Sequence, residues 1–302
     1  MRSGGSMRIG AMLPLSEQSG WMPAWSDIRA FAAAAEEGGL DSIWVYDHLL
    51  FRFPDEPPGG IHEAWTVLSA LAVATRRIEL GALVMCSSFR NPGLMAKMAV
   101  AADEISGGRL TLGLGAGWHE PEYRAFGVDF DHLATRFEES LSITVPLLRQ
   151  GHVDVEGRFV SARDALLLPP ATRPGGPPIL IAAKGPRLLR LTARYADAYN
   201  TAWYGRPDER LARMRAGLDE ACSEEGRDPS SIAFTVGVTV TFDDPDPELA
   251  PERQLVGDEM AVADGLRAFR DAGVDHVICA LGVRSPEAAA RLASAAARVQ
   301  EG

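Results

Sequence analysis

Cysteine is scarce in this chain: three among 302 residues, Cys86, Cys222 and Cys279, widely separated. They form no CxxC and no paired spacing, so neither a disulfide framework nor a thiolate zinc site is available, and the usage suits a reducing compartment. Cys86 and Cys279 fall in apolar, strand-like runs and are read as buried structural thiols. The six histidines contain no HxH and no HExxH, so no metal is expected. Long apolar runs are missing too; none approaches the roughly 18 residues of a membrane span. Positive charge is in deficit, with 30 Lys and Arg against 41 Asp and Glu, a net charge of -11 and a pI near 5.1. An acidic surface argues against nucleic acid or anionic membrane as the main partner, while leaving room for one local basic patch. Residues 1–6 are small and polar and lack the apolar stretch of a secretion signal. They read as a disordered leader, with Met7 an alternative start, and a cytoplasmic protein is expected.

What the chain does contain is core-forming material, 46% hydrophobic and 24% charged. Strand-like runs at 8–13, 42–46, 77–85, 109–114, 179–182, 198–201, 232–241 and 276–280 alternate with helix-like runs. Those are 27–38, 63–75, 92–105, 134–149, 186–195, 207–225, 258–272 and 286–299. Alternation of this kind implies parallel strands, and eight units close naturally into an α/β (β/α)8 TIM barrel, here over residues 7–302 as one domain. Strand order cannot be read from the sequence, so an open doubly wound sheet stays as the alternative. Asn91-Pro92, Gly185-Pro186 and Ser285-Pro286 open helices, where the missing proline N–H costs nothing and Asn91 caps. Glu37-Gly38-Gly39-Leu40-Asp41 and Asp271-Ala272-Gly273-Val274-Asp275 look like repeated helix-to-strand corners, with glycine for the left-handed turn. Three insertions break the rhythm: 51–62 after the second strand, 153–178 with a short β-like piece, and the acidic, proline-rich 243–254. Loops after barrel strands sit on the catalytic face, so 51–62 is a candidate wall and 243–254 a candidate lid.

Four clusters carry candidate chemistry. Gly113-Leu-Gly115-Ala-Gly117-Trp118-His119-Glu120 ends the fourth strand, but no helix follows at once, so the dinucleotide fingerprint fails in context. The glycines suit a strand end passing close to a flat ligand, or else a tight loop with no ligand. At Ala182-Ala183-Lys184-Gly185-Pro186-Arg187 a strand turns into a helix whose free amides, with Lys184 and Arg187 nearby, suit a phosphate; an ordinary capped helix is the plain alternative. Tyr46-Asp47-His48 puts an imidazole at a strand end, with Asp47 as a candidate to orient it, although neighbours on a strand point to opposite faces. Cys86-Ser87-Ser88-Phe89-Arg90 offers small hydroxyl side chains, Ser87 among them, for a cofactor cleft.

Taken in order, these segments resemble the luciferase-like superfamily, and within it the F420-dependent oxidoreductases. The resemblance covers most of residues 7–240. It is carried by Asp41-Ser-Ile-Trp-Val-Tyr-Asp47-His48, by Leu80-Gly81-Ala-Leu-Val84 running to Phe89-Arg90-Asn91-Pro92, by Ile105-Ser-Gly-Gly-Arg109 running to Gly117-Trp118, and by Ala182-Ala183-Lys184-Gly185-Pro186 with Ala193-Arg194-Tyr195-Ala196-Asp197. It implies a barrel with loop insertions at its C-terminal face and a non-prolyl cis peptide at Leu83–Val84 behind an isoalloxazine-like ring. It also implies a coenzyme phosphate at Lys184-Gly185-Pro186 and acid–base chemistry at His48. Cofactor contacts are then expected from Asp47, Leu83, Val84, Ser87, Gly115, Gly117, Ala183, Lys184, Gly185 and Pro186. Trp118, His119, Glu122 and Trp203 are expected on the side of a small-molecule substrate. The sugar-phosphate dehydrogenase branch has a glutamate where this chain has Trp118, which argues against glucose 6-phosphate and leaves Glu120 or Glu122 as substitutes. The implied activity is hydride transfer at C5 of coenzyme F420. FMN-dependent monooxygenation and a non-catalytic flavin- or F420-binding protein are the alternatives. A homodimer is expected by analogy.

Overall fold

A computed structural model describes residues 6–18 and 20–301; all of the expected leader except Ser6 lies outside the described residues. In chain order the strands are β1 (Arg8–Met12), β2 (Ser42–Val45), β3 (Glu79–Ala82), β4 (Met85–Cys86), β5 (Leu110–Gly115), β6 (His152–Val155), β7 (Ala162–Leu166), β8 (Ile179–Ala182), β9 (Ala198–Tyr204), β10 (Ala233–Phe242), β11 (Gln254–Gly257) and β12 (His276–Leu281). The helices are α1 (Trp25–Glu37), α2 (Ala64–Ala74), α3 (Pro92–Ser106), α4 (Glu120–Phe126), α5 (Leu133–Gln150), α6 (Pro186–Tyr195), α7 (Glu209–Glu224), α8 (Glu259–Asp271) and α9 (Pro286–Glu301).

The parallel pairings run β1–β2–β3–β5–β8–β9–β10–β12 and return to β1, with Arg8 opposite His276 at the seam. A closed ring of eight strands is a (β/α)8 barrel, and the seam excludes the open sheet. The expected third strand, 77–85, is interrupted: β3 and β4 flank Leu83 and Val84, whose peptide bond is cis as the resemblance implied. A second non-prolyl cis bond, Ala202–Trp203 in β9, was not foreseen. The β-like piece in 153–178 belongs to an antiparallel hairpin of β6 and β7. The 243–254 segment ends in β11, which adds to β10 outside the ring. Helix α4 was also unforeseen.

Sequence explains the plug of the barrel. Trp44 points inward from β2 and packs with Met12, Leu180, Ala198 and Ile278. Its ring fills space that two glycines vacate: a Cβ at Gly81 would lie 2.3 Å from the indole, and one at Gly10 3.0 Å from Nε1. The indole N–H donates to Ser42 Oγ (2.7 Å), which bonds His276 Nε2 (2.8 Å), so the buried polar groups are satisfied. With the N-terminal half filled, any cavity lies toward the C-terminal face. That face is held from below by three matching corners. Asp41, Asp197 and Asp275 each accept a backbone N–H of the preceding barrel strand at 2.7 Å, from Ile9, Ile179 and Phe234. Each also donates its own N–H to the same residue's carbonyl. At the start of α3, Asn91 accepts from Gly93 N and Leu94 N, the cap expected of Asn-Pro.

Candidate active site

At the C-terminal ends of the strands lies a cavity of about 610 Å3. It gathers Asp47 and His48 after β2, Leu83 and Val84 between β3 and β4, and Gly115, Gly117 and Trp118 at β5. Glu122 enters from α4, Ala183 and Lys184 from the end of β8, and Trp203 from β9. Four expected residues stand outside its lining. Ser87 lines a separate, smaller cavity of about 230 Å3 with Arg90 and Arg136. His119 turns toward the 51–62 loop, where its Nε2 accepts the N–H of Arg52 (3.1 Å). Gly185 and Pro186 form the exposed start of α6, next to Lys184 but beyond the wall.

His48 is held differently from the sequence expectation. Asp47 does not orient it. The Asp47 carboxylate is buried and accepts Cys86 N (2.9 Å) while pairing with Arg90, whose Nη2 lies 3.1 Å from Oδ1. The partner is Glu122, 1% exposed, whose Oε1 lies 2.9 Å from His48 Nδ1 and whose Oε2 accepts Leu49 N at 2.7 Å. Glu120, the other candidate acid, is exposed and bonds Arg124. Around the imidazole stand Phe51 (ring centroids 4.5 Å apart) and Trp118 (5.5 Å, edge-on); Trp118 is itself 61% exposed at the mouth. Burial, together with the neighbouring His48, holds His119 below the ordinary imidazole range despite the Glu122 charge, which matches its acceptor role toward Arg52.

The chain's own packing also requires the glycine cluster. A Cβ at Gly113 would sit 1.7 Å from the Ala82 carbonyl oxygen, and one at Gly115 would sit 2.5 Å from a Val84 methyl. Gly117 has φ +83°, and its Cβ would meet the Tyr123 hydroxyl at 1.8 Å. The chain itself fills the vacated space, so these glycines let the β3–β4 break and α4 close onto β5. Tyr123 OH then donates to Ala116 O (3.1 Å) and lies 2.9 Å from Cys86 Sγ. Burial pushes that thiol up to about 11, so it stays protonated at neutral pH.

Three strands round the ring, β8 leads into α6 through Gly185 (φ +83°), which gives the helix no side-chain cap. Among the described residues Lys184 has no ion pair, whereas Arg187, expected beside it as a phosphate partner, is turned to Glu138 and Thr135. The sequence reading passed over Asn200, Thr201 and Arg253, which also line the cavity. Asn200 is buried and donates to Thr235 Oγ1 (2.8 Å); polar residues in an otherwise apolar strand were the available signal. Arg253 comes from the segment expected as a lid and has no ion pair among the described residues. No cluster of metal-ligating side chains occurs among the described residues, and none of their helices is long and apolar enough to cross a membrane.

A family model described as luciferase-like monooxygenase matches residues 6–254. The phthiodiolone/phenolphthiodiolone dimycocerosates ketoreductase of Mycobacterium sp. (strain JLS) is 33% identical over 270 residues, covering 82% of this chain and 69% of that protein. The F420-dependent glucose-6-phosphate dehydrogenase of Microbacterium testaceum (strain StLB037) is 30% identical over 233 residues, 76% of this chain and 67% of the other. Among solved structures, an F420-dependent secondary alcohol dehydrogenase in complex with an F420–acetone adduct is similar with a TM-score of 0.79 at 17% identity. That match covers 96% of this chain and 98% of the other, a likeness of fold.

Proposed function

The chain belongs to the luciferase-like monooxygenase family and is an oxidoreductase, and from that premise we propose that it uses coenzyme F420 to move a hydride between C5 of the deazaflavin and a small organic substrate. One juxtaposition carries the reading: a carboxylate-held imidazole on one wall, and an uncapped helix start beside Lys184 three strands away. The residues present fit such a group. A cavity of about 610 Å3 is the size of a cofactor pocket. The amides at the start of α6, with the Lys184 ammonium, which has no ion pair among the described residues, form a place for a phosphate. The cis segment Leu83–Val84 forms the floor on which a flat ring would rest.

When bound, F420 supplies the hydride chemistry. The chain's own residues do the rest. Hydride loss from a carbinol leaves a hydroxyl proton to be removed, and ketone reduction needs one delivered. His48, with one ring nitrogen committed to Glu122, has the other available for that proton. Trp118 and Trp203 offer aromatic walls to the substrate, and Phe51 screens the imidazole from water. A relative named as a ketoreductase supports a ketone or secondary alcohol as substrate. The family's monooxygenase description keeps FMN as the second reading.

Titrating the purified protein with F420 and, separately, with FMN tests the proposal. Saturable binding of F420, followed by bleaching of its absorption on adding a secondary alcohol, is the expected result. Tight FMN binding with indifference to F420 moves the assignment to the monooxygenase reading, and indifference to both ends it.

A further inference from the structure

We infer that Glu122 is the positioning residue of His48: its buried carboxylate fixes the proton on Nδ1 and aims the bare Nε2 at the cavity. This rests on the reading of His48 as proton carrier. Both oxygens of Glu122 are engaged: Oε1 lies 2.9 Å from His48 Nδ1, and Oε2 accepts the backbone N–H of Leu49 at 2.7 Å. An ionised carboxylate can only accept, so Nδ1 must be the protonated nitrogen of the neutral ring. Nε2 then carries a lone pair and can take a hydroxyl proton; as imidazolium it can return one.

Among the described residues, the other groups around the ring are committed elsewhere. Asp47 is spent on Arg90 and Cys86 N, and His119 uses its Nε2 on Arg52 N. The rings of Phe51 and Trp118 offer no carboxylate. Glu122 is itself held in place by the next residue, Tyr123, whose hydroxyl ties α4 to Ala116 and Cys86. The same carboxylate therefore sets the imidazole and, through Leu49, the root of the 51–62 wall.

Glu122→Gln is diagnostic because an amide of nearly the same shape can donate. If its NH2 faces the ring, Nδ1 becomes the acceptor and the proton moves to Nε2, so the cavity meets a donor where it had a base. The test is 15N NMR of the histidine ring nitrogens in cofactor-free protein, read beside steady-state kinetics. Wild type should show His48 as the Nδ1–H tautomer. E122Q should shift it to Nε2–H and lower kcat by about 10²-fold or more, with KM and F420 affinity within about threefold. Glu122→Asp should recover part of kcat and the Nδ1–H signal. An Nε2–H tautomer in wild type overturns the inference without any variant. So does E122Q with wild-type tautomer and turnover. If His48→Ala leaves kcat unchanged, the proton-carrier reading fails, while the ring-nitrogen spectra still decide what Glu122 does.

Discussion

Gly117 shows how much a single position can specify. Its φ of +83° and the Tyr123 hydroxyl, 1.8 Å from where a Cβ would stand, both exclude a side chain. Gly117→Ala is expected to cost roughly 1–3 kcal/mol, seen as a lowered thermal midpoint, and to weaken F420 binding because α4 can no longer seat against β5. An unchanged midpoint contradicts that packing. His48 was legible as a candidate because histidine at a strand end is chemically conspicuous. Glu122 was expected on the substrate side, but its pairing with His48 was not legible, because the two lie 74 residues apart and only the folded chain brings them together. The adjacent Asp47 was the tempting choice and is committed elsewhere. His48→Ala should reduce kcat by about 10²–10⁴-fold while leaving F420 affinity nearly intact; equal loss in both, by titration and kinetics, contradicts its role.

Among elements, the repeated corners show why the barrel could be read in advance. A helix ending in glycine and leading through an aspartate into the next strand recurs at Asp41 and Asp275, and the carboxylate ties each corner to the preceding strand. Asp41→Ala removes the acceptor from Ile9 N and should destabilise by about 1–3 kcal/mol in urea unfolding with no change in F420 affinity. A loss of affinity without loss of stability would show that the corner serves the site and not the frame. Elements that escaped notice are those with weak periodic signal. Helix α4 spans seven residues, too few to declare a 3.6-residue period, and β11 hides behind a proline-rich segment. The break in the third strand is invisible in an apolar run, since 77–85 reads as continuous strand whether or not its backbone turns; the family resemblance alone pointed to Leu83–Val84.

Over the whole molecule, closure of the barrel buries a titratable group in its centre. Complete burial keeps the His276 imidazole well below its ordinary value of 6.5. The unfolded chain takes up that proton below about pH 6.5 and the folded chain does not, so stability is full above that pH and declines as the medium becomes more acidic. Unfolding midpoints in urea should match at pH 8 and 7 and fall by pH 5.5; a flat profile to pH 5 contradicts a neutral buried imidazole. The homodimer expected by analogy is tested by light scattering, where the mass of a single chain contradicts it. Architecture and the approximate mouth of the site were legible because both follow from local periodicity and strand ends. The individual contacts there, Arg253 and Asn200 among them, depend on loops whose paths the sequence does not announce. The most direct measurement is a crystal structure with F420 bound. The coenzyme phosphate is expected at the start of α6, within hydrogen-bonding distance of Lys184 or the amides following Gly185, with the ring over Leu83–Val84 and its C5 side facing His48. A phosphate bound elsewhere, or a ring excluded from this cavity by Trp203 and Leu188, contradicts the assignment.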